Sequence, residues 1–184
     1  MKNKNKFYIF DTETTGLSKD AQIIGIALMT VTEDEEPNKI ESTLCKSDQF
    51  ISYFAQELHH ITKEDIEDKP YFEDTNIFKT LTENNSERNI LAAHNISFDI
   101  AQLKMHNIDS KYTQIDTLKV ARALYPKLKC HRLQYLRYAL KLDVKVDKTH
   151  NAEADVIVLH ALLEHLAKSI SLQDMVKISN RRSK

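Results

Sequence analysis

The sequence predicts an α/β fold: one mixed sheet of five strands with helices on its faces. Short apolar runs rich in β-branched and aromatic residues recur along the chain, and segments with helical spacing follow from Tyr53 onward. The first three strand-like runs follow one another across polar turns, whereas the last two each lead into a helix. A meander continued by parallel strands accounts for that order. With 184 residues, 41% apolar and 29% charged, the chain can close one real core.

Lys6–Phe10 reads as the first strand, built on the apolar run Phe7-Tyr-Ile-Phe10 and followed by a turn at Thr14-Thr15-Gly16. Gln22–Val31 and Lys39–Cys45 are the next two, separated by the polar turn Glu33–Asn38, and complete a three-stranded antiparallel meander. Helical patterning begins near Tyr53, and Thr62-Lys-Glu-Asp65 resembles a capping box with Asp in its last place. Pro70 is expected to open the next helix, running towards Asn84. Asn89–His94 is a short strand, Ile96–His106 a helix, and Gln114–Asp116 an edge strand entering a helix that stops near Pro126. Leu133–Leu142, Ala152–Lys168 and Leu172–Ile178 complete the helical half. No repeat, low-complexity stretch or linker interrupts the order, so residues 1–184 read as a single domain, with residues 1–5 and 181–184 as flexible ends.

Composition narrows the class. Cys45 and Cys130 have no metal-ligand spacing and suit thiols in a reducing cytoplasm, although one disulfide stays open. The charged start Met1-Lys-Asn-Lys-Asn-Lys6 precedes too few apolar residues for a signal peptide, and Ile23–Met29 is too short to cross a membrane. A cytoplasmic protein without a membrane partner is expected. Net charge is −1. Acids outnumber bases roughly three to one between Thr32 and Asp74, and bases lead by a similar ratio from Lys104 to Lys148. Solvated helix faces explain such an asymmetry, and so does a basic flank beside an acidic cleft that takes a polyanion.

Four acids carry the chemistry. Asp11 and Glu13 follow the first strand, Asp99 lies just beyond the fourth, and Asp155 falls in the first turn of a long helix. Like charges at the edge of a core are costly unless a cation neutralises them. Strands of such a sheet end in a common crevice, and a helix N-terminus favours a carboxylate. Magnesium and manganese prefer hard oxygen ligands. Two such ions about 4 Å apart can stabilise the attacking and departing oxygens of a phosphoryl displacement. Asp11 suits the bridging ligand, and Glu13, Asp99 and Asp155 suit terminal ones. His150, five residues before Asp155, titrates near neutrality and suits the base. Each residue alone has an ordinary reading as a turn or surface residue.

Phe10-Asp-Thr-Glu-Thr-Thr-Gly-Leu17, His94-Asn-Ile-Ser-Phe-Asp99 and His150-x-Ala-x-x-Asp155 resemble the three motifs of the DEDDh exonucleases. These are the DnaQ-like proofreading group of the ribonuclease H-like fold. Histidine five residues before the last aspartate points to the histidine branch, since the tyrosine branch would place Tyr where Asn151 stands. The likeness continues through Asp116-Thr-Leu-x-x-Ala-Arg122, Leu-Tyr-Pro126 and Ser171–Asn180. It implies a 3′–5′ exonuclease that releases nucleoside 5′-monophosphates. Asp11, Glu13, Asp99 and Asp155 would hold two Mg²⁺ or Mn²⁺ ions, with His150 as base. It also implies substrate-side roles for Thr14, Thr15, Leu17 and Phe98, with His94 and Asn95 supporting the second motif. Relatives often carry glycine where His60 stands, and His59 and His60 read as loop residues.

Single-stranded or frayed DNA 3′ ends are the favoured substrate, with RNA ends as the alternative. An aspartate-nucleophile phosphatase would need a later glycine-containing acidic motif, and the chain has only Gly16 and Gly25. A silent polymerase accessory subunit would usually have lost one of the five residues, and all five are present. A polymerase remains a possible partner. The ending Asn180-Arg-Arg-Ser-Lys184 leaves no evident polymerase-binding extension, so a stand-alone enzyme is favoured.

Overall fold

The computed structural model describes residues 5–18, 20–31, 38–146 and 151–181. Its five strands are β1 (Phe7–Thr14), β2 (Ile23–Val31), β3 (Lys39–Leu44), β4 (Ile90–Ala93) and β5 (Thr113–Asp116), ordered β3-β2-β1-β4-β5. The first three pair antiparallel, and β4 lies parallel to both β1 and β5. The mixed five-stranded sheet is therefore the predicted one, with β5 at an edge. Most of the predicted turn at Glu33–Asn38 and most of both predicted flexible ends lie outside the described residues.

Alternation along β1 divides the core into two layers. Ile9 joins Ala27, Met29, Ala92 and Ile115 on one face, beneath α5 (Thr117–Leu124), α6 (Leu133–Ala139), α7 (Ala152–Ala167) and α8 (Leu172–Ser179). Tyr8 and Phe10 point to the other face, which is covered by α3 (Asn76–Glu83) and α4 (Ile96–Met105). A smaller cluster of Ile24, Ile51 and Ile66 anchors α1 (Tyr53–His59) and α2 (Lys63–Ile66). No helix among the described residues is long and apolar enough to cross a membrane.

Several element boundaries shift by one to three residues, and two differ for a physical reason that the structure shows. The first strand does not stop at Phe10: its ladder with β2 continues from Phe7↔Val31 to Glu13↔Gly25. Backbone pairing keeps Asp11–Thr14 extended although the apolar pattern has ended. Pro70 does not open the next helix either. A 3₁₀ turn, Phe72–Asp74, comes first, and α3 starts after Thr75. Thr75 is extended (φ −87°, ψ 155°), and its hydroxyl donates to Phe72 O at 2.7 Å while accepting from Phe78 N at 3.1 Å. That exchange breaks one helical segment and caps the next. In the predicted capping box, the Thr62 backbone N–H and hydroxyl both donate to the Asp65 carboxylate, at 2.8 and 2.9 Å.

Candidate active site and metal centre

Asp11 and Glu13 are two residues apart on a paired strand, so both side chains leave the same face as Ile9. That is the face packed by α7. Asp155 stands in the first turn of α7, whose start is fixed by Asn151: its Oδ1 accepts from Ala154 N at 3.1 Å. The helix end is also tied to the meander, because Ser42 Oγ donates to Glu153 Oε2 at 2.6 Å. Asp11, Glu13 and Asp155 each bring a carboxylate oxygen into a group whose members all lie within 4.8 Å of one another. Three hard oxygen donors at that spacing fit a divalent cation of the magnesium or manganese type.

The cluster is electrostatically strained without a cation. Removal from water raises the Asp11 carboxyl well above its ordinary value, and Asp99, Glu13 and Asp155 add to the rise. Glu13 is pushed from an ordinary 4.5 to about 8, first by burial and then by Asp155 and Asp99. Burial and mutual repulsion both disfavour the ionised carboxylates, and a cation placed among them would act in the opposite direction.

Asp99 is not one of the three. It is buried in the first turn of α4, where Oδ1 accepts from Thr12 Oγ1 at 2.7 Å. Thr12 lies between the two strand acids and points to the opposite face, so β1 presents Asp11 and Glu13 to α7 and reaches Asp99 through Thr12. Burial raises the Asp99 carboxyl to about 7, although the Thr12 hydrogen bond pulls it back down. Asn95, which precedes α4, adopts a left-handed conformation (φ 76°, ψ 46°), and its N–H donates to Asp116 Oδ1 at 3.2 Å.

Other predicted residues lie at the end of β1 and the turn after it, on α4 and just after β4. Thr14 is buried and its hydroxyl donates to Gly16 O at 2.7 Å. Thr15 knits the turn to its surroundings: its N–H donates to Gln22 O at 3.0 Å, its carbonyl accepts from Ser52 N at 2.8 Å, and its hydroxyl bonds Gln49. Leu17 is 85% exposed on that turn, and Phe98 is half-buried on α4. Both ring nitrogens of His94 face the protein. Nδ1 is 2.9 Å from Thr117 Oγ1, and Nε2 donates to His131 O at 2.7 Å. This brace suits a supporting role. His150 lies outside the described residues.

Five residues at or beside the site carried no clear signal in the sequence. Gly25 sits opposite Glu13, and a Cβ there would meet Glu13 Cβ at 3.2 Å and Ile61 Cδ1 at 3.4 Å. Any larger residue would oblige the Glu13 stem to give by a few tenths of an ångström. His59, read as a loop residue, is the buried last residue of α1. It accepts at Nδ1 from Ile61 N (3.0 Å) and so donates from Nε2 to Thr14 O (3.2 Å), which pins the end of β1. His60 takes the left-handed cap position (φ 60°, ψ 15°), a conformation that glycine adopts at lower steric cost. Thr12 and Gln134 act on Asp99 and Asp155 through hydrogen bonds. All of these are contacts made by folding, and a lone His, Gly or Gln has no spacing that announces them.

The exonuclease family RNase_T matches residues 8–163, which include both strand acids, Asp99 and Asp155. The chain belongs to this exonuclease family. It is a 3′–5′ exonuclease of the DnaQ-like type. This exonuclease is 32% identical over 181 residues to the DNA polymerase III subunit epsilon of Buchnera aphidicola subsp. Schizaphis graminum, covering 88% of the chain and 74% of that protein. It is 33% identical over 180 residues to the PolC-type DNA polymerase III of Bacillus subtilis, where the match covers 91% of the chain but only 12% of that much longer protein. Among solved structures, exonuclease X in complex with 5′ overhanging duplex DNA matches with a TM-score of 0.78 and 29% identity, over 95% of this chain and 99% of that one. The ribonuclease H-like architecture predicted from the motifs is the one shared with it.

Proposed function

We propose that the exonuclease trims DNA 3′ ends by metal-dependent hydrolysis and releases nucleoside 5′-monophosphates. The observation that carries this reading is the convergence of Asp11, Glu13 and Asp155 from two elements distant in sequence, on the fold of a 3′–5′ exonuclease family. These three would hold the cations, with Asp11 central, and Asp99, whose Oδ1 accepts from Thr12, would join them. Two bound Mg²⁺ or Mn²⁺ ions would supply a stabilised nucleophile and neutralise charge on the phosphate. His150 would take the proton of the attacking water. Leu17 and Phe98 offer apolar surface to the terminal nucleotide, while Thr14 and Thr15 set the backbone beside it. His94 and Asn95 hold the second motif in place.

DNA is favoured over RNA because the similar proteins are named as DNA polymerase III components and because exonuclease X was solved with DNA. The same relatives support a proofreading or repair role, action on cellular DNA in the cytoplasm, and a DNA polymerase as possible partner. The test is digestion of 5′-labelled single-stranded DNA and RNA with Mg²⁺, Mn²⁺ or EDTA, beside the Asp11→Ala variant. Metal-dependent shortening from the 3′ end, faster on DNA and lost in the variant, is expected. Intact DNA and RNA under every metal condition would overturn the proposal, and faster loss of RNA would overturn its substrate assignment.

A further inference from the structure

Gln134 is neither a carboxylate nor part of any of the three motifs, yet it touches the candidate metal centre. It stands in the first turn of α6, which packs against α7. Leu133 and Leu136 on either side of it are buried in the core beneath the sheet, so its backbone position is fixed by packing. Its Nε2 donates to Oδ1 of Asp155. A carboxylate oxygen can only accept, so the amide nitrogen must be the atom that faces it. The other end of the amide, Oε1, is buried and has no hydrogen-bond partner among the described residues. A buried amide with an idle acceptor is a cost to folding, and a side chain without a task here would be replaced by an apolar one at no loss.

The choice of residue type is informative. A carboxylate in a cation site must keep its negative charge while giving up its freedom to rotate. Lysine or arginine at this position would hold Asp155 but would compete with the cation for its charge. Another acid would add repulsion to a cluster that already repels itself. A neutral donor orients the carboxylate and leaves the charge for the metal, the logic by which residues beyond the ligands tune metal sites. We infer that Gln134 is a positioning residue for metal binding, fixing Asp155 in the orientation that meets Asp11 and Glu13. The inference rests on the reading of those three acids as a cation site.

The test is calorimetric titration of the metal-free, full-length protein with Mn²⁺, comparing the parent with Gln134→Met, which keeps the length and unbranched shape but removes the N–H donor. The Mn²⁺ dissociation constant is expected to rise about 10–100-fold. The Mn²⁺ concentration that half-saturates cleavage should rise in step, kcat at saturating Mn²⁺ should approach the parent value, and the metal-free thermal midpoint should not fall. Asp155→Asn and the double variant complete a cycle: in the Asp155→Asn background, Gln134→Met should add no further loss of affinity. Unchanged Mn²⁺ affinity in Gln134→Met alongside weakened binding in Asp155→Asn would overturn the positioning role and spare the metal site. Unchanged affinity in Asp155→Asn would sink the metal-site reading itself. A drop in thermal midpoint with losses that simply add would mark Gln134 as structural and also overturn the inference.

Discussion

The two halves of β1 share one backbone ladder and separate two tasks. Phe7–Phe10 and Asp11–Thr14 pair with β2 in a continuous register up to Glu13, where it shifts before Thr14. On the α7 face the first half presents Ile9, fully buried, and the second presents Asp11 and Glu13. Ile9 gains free energy by leaving water, and the two acids lose it. The difference shows how a strand can hold an unfavourable cluster: the apolar half anchors a ladder that the acidic half only has to follow. Stability and chemistry are thus adjacent on one strand and separable by substitution.

The largest expected effect comes from exchanging the fates of the two halves. Asp11→Asn is expected to lower the exonuclease rate on the order of 10³-fold, through loss of a central cation ligand. In metal-free buffer at pH 8 the same variant should unfold at a higher denaturant concentration than the parent, because it removes a buried like charge. Ile9→Ala should do the reverse, losing about 2–5 kcal/mol of stability while the folded fraction keeps its rate. Denaturation curves and single-turnover rates on both variants check the pair. An Asp11→Asn protein less stable than the parent would break the comparison.

A second effect concerns pH. Burial and like charge push Glu13 up to about 8 in the folded chain from an ordinary 4.5 in the unfolded one, and Asp11 shifts in the same direction. Between those pH values the folded state binds more protons than the unfolded one, so metal-free stability falls as pH rises through the window. A cation reverses the sign, because it takes the place of the proton. The thermal midpoint without metal should therefore decline from pH 5 to pH 8, and the increase produced by Mn²⁺ should grow over the same range. A metal-free midpoint that climbs with pH would contradict the strained-cluster account.

The smallest effect lies at the edge of the site. His60 holds a left-handed backbone conformation at the end of α1. His60→Gly should stabilise the fold by about 0.5–1 kcal/mol, with little change in cleavage rate. Equilibrium unfolding measures the gain, and a loss of stability would show that the imidazole makes a contact worth more than the backbone relief.

The sheet was legible because burial leaves a periodic mark: the apolar runs around Ile9, Ala27 and Ala92 lie where strands pair. Asp11, Glu13 and Asp155 were legible because carboxylates next to a core need an explanation. What escaped was set by contacts rather than by pattern. Phe10 ends the apolar run, but the β2 ladder carries the strand on to Thr14. Asp99 has the right motif, but no spacing announces that its Oδ1 accepts from Thr12, which lies between the two strand acids. Gly25 matters only because Glu13 lies opposite, and Gln134 only because α6 packs on α7. A proline at position 70 resembles a helix start, and the threonine five residues later decides where the helix begins.

The turn after β1 holds one more lesson. Leu17 is an apolar side chain held out in water, 85% exposed, on a turn whose neighbour Thr15 is bonded to Gln22, Gln49 and Ser52. A leucine on a slack loop would fold back onto the nearest greasy surface and would need to be pulled free before touching anything else. Here the bonds of Thr15 order the backbone two residues before Leu17 when the chain folds, so less entropy is left to lose on contact. If Leu17 meets the terminal nucleotide as proposed, the cost of presenting an apolar side chain to water is already met by the fold.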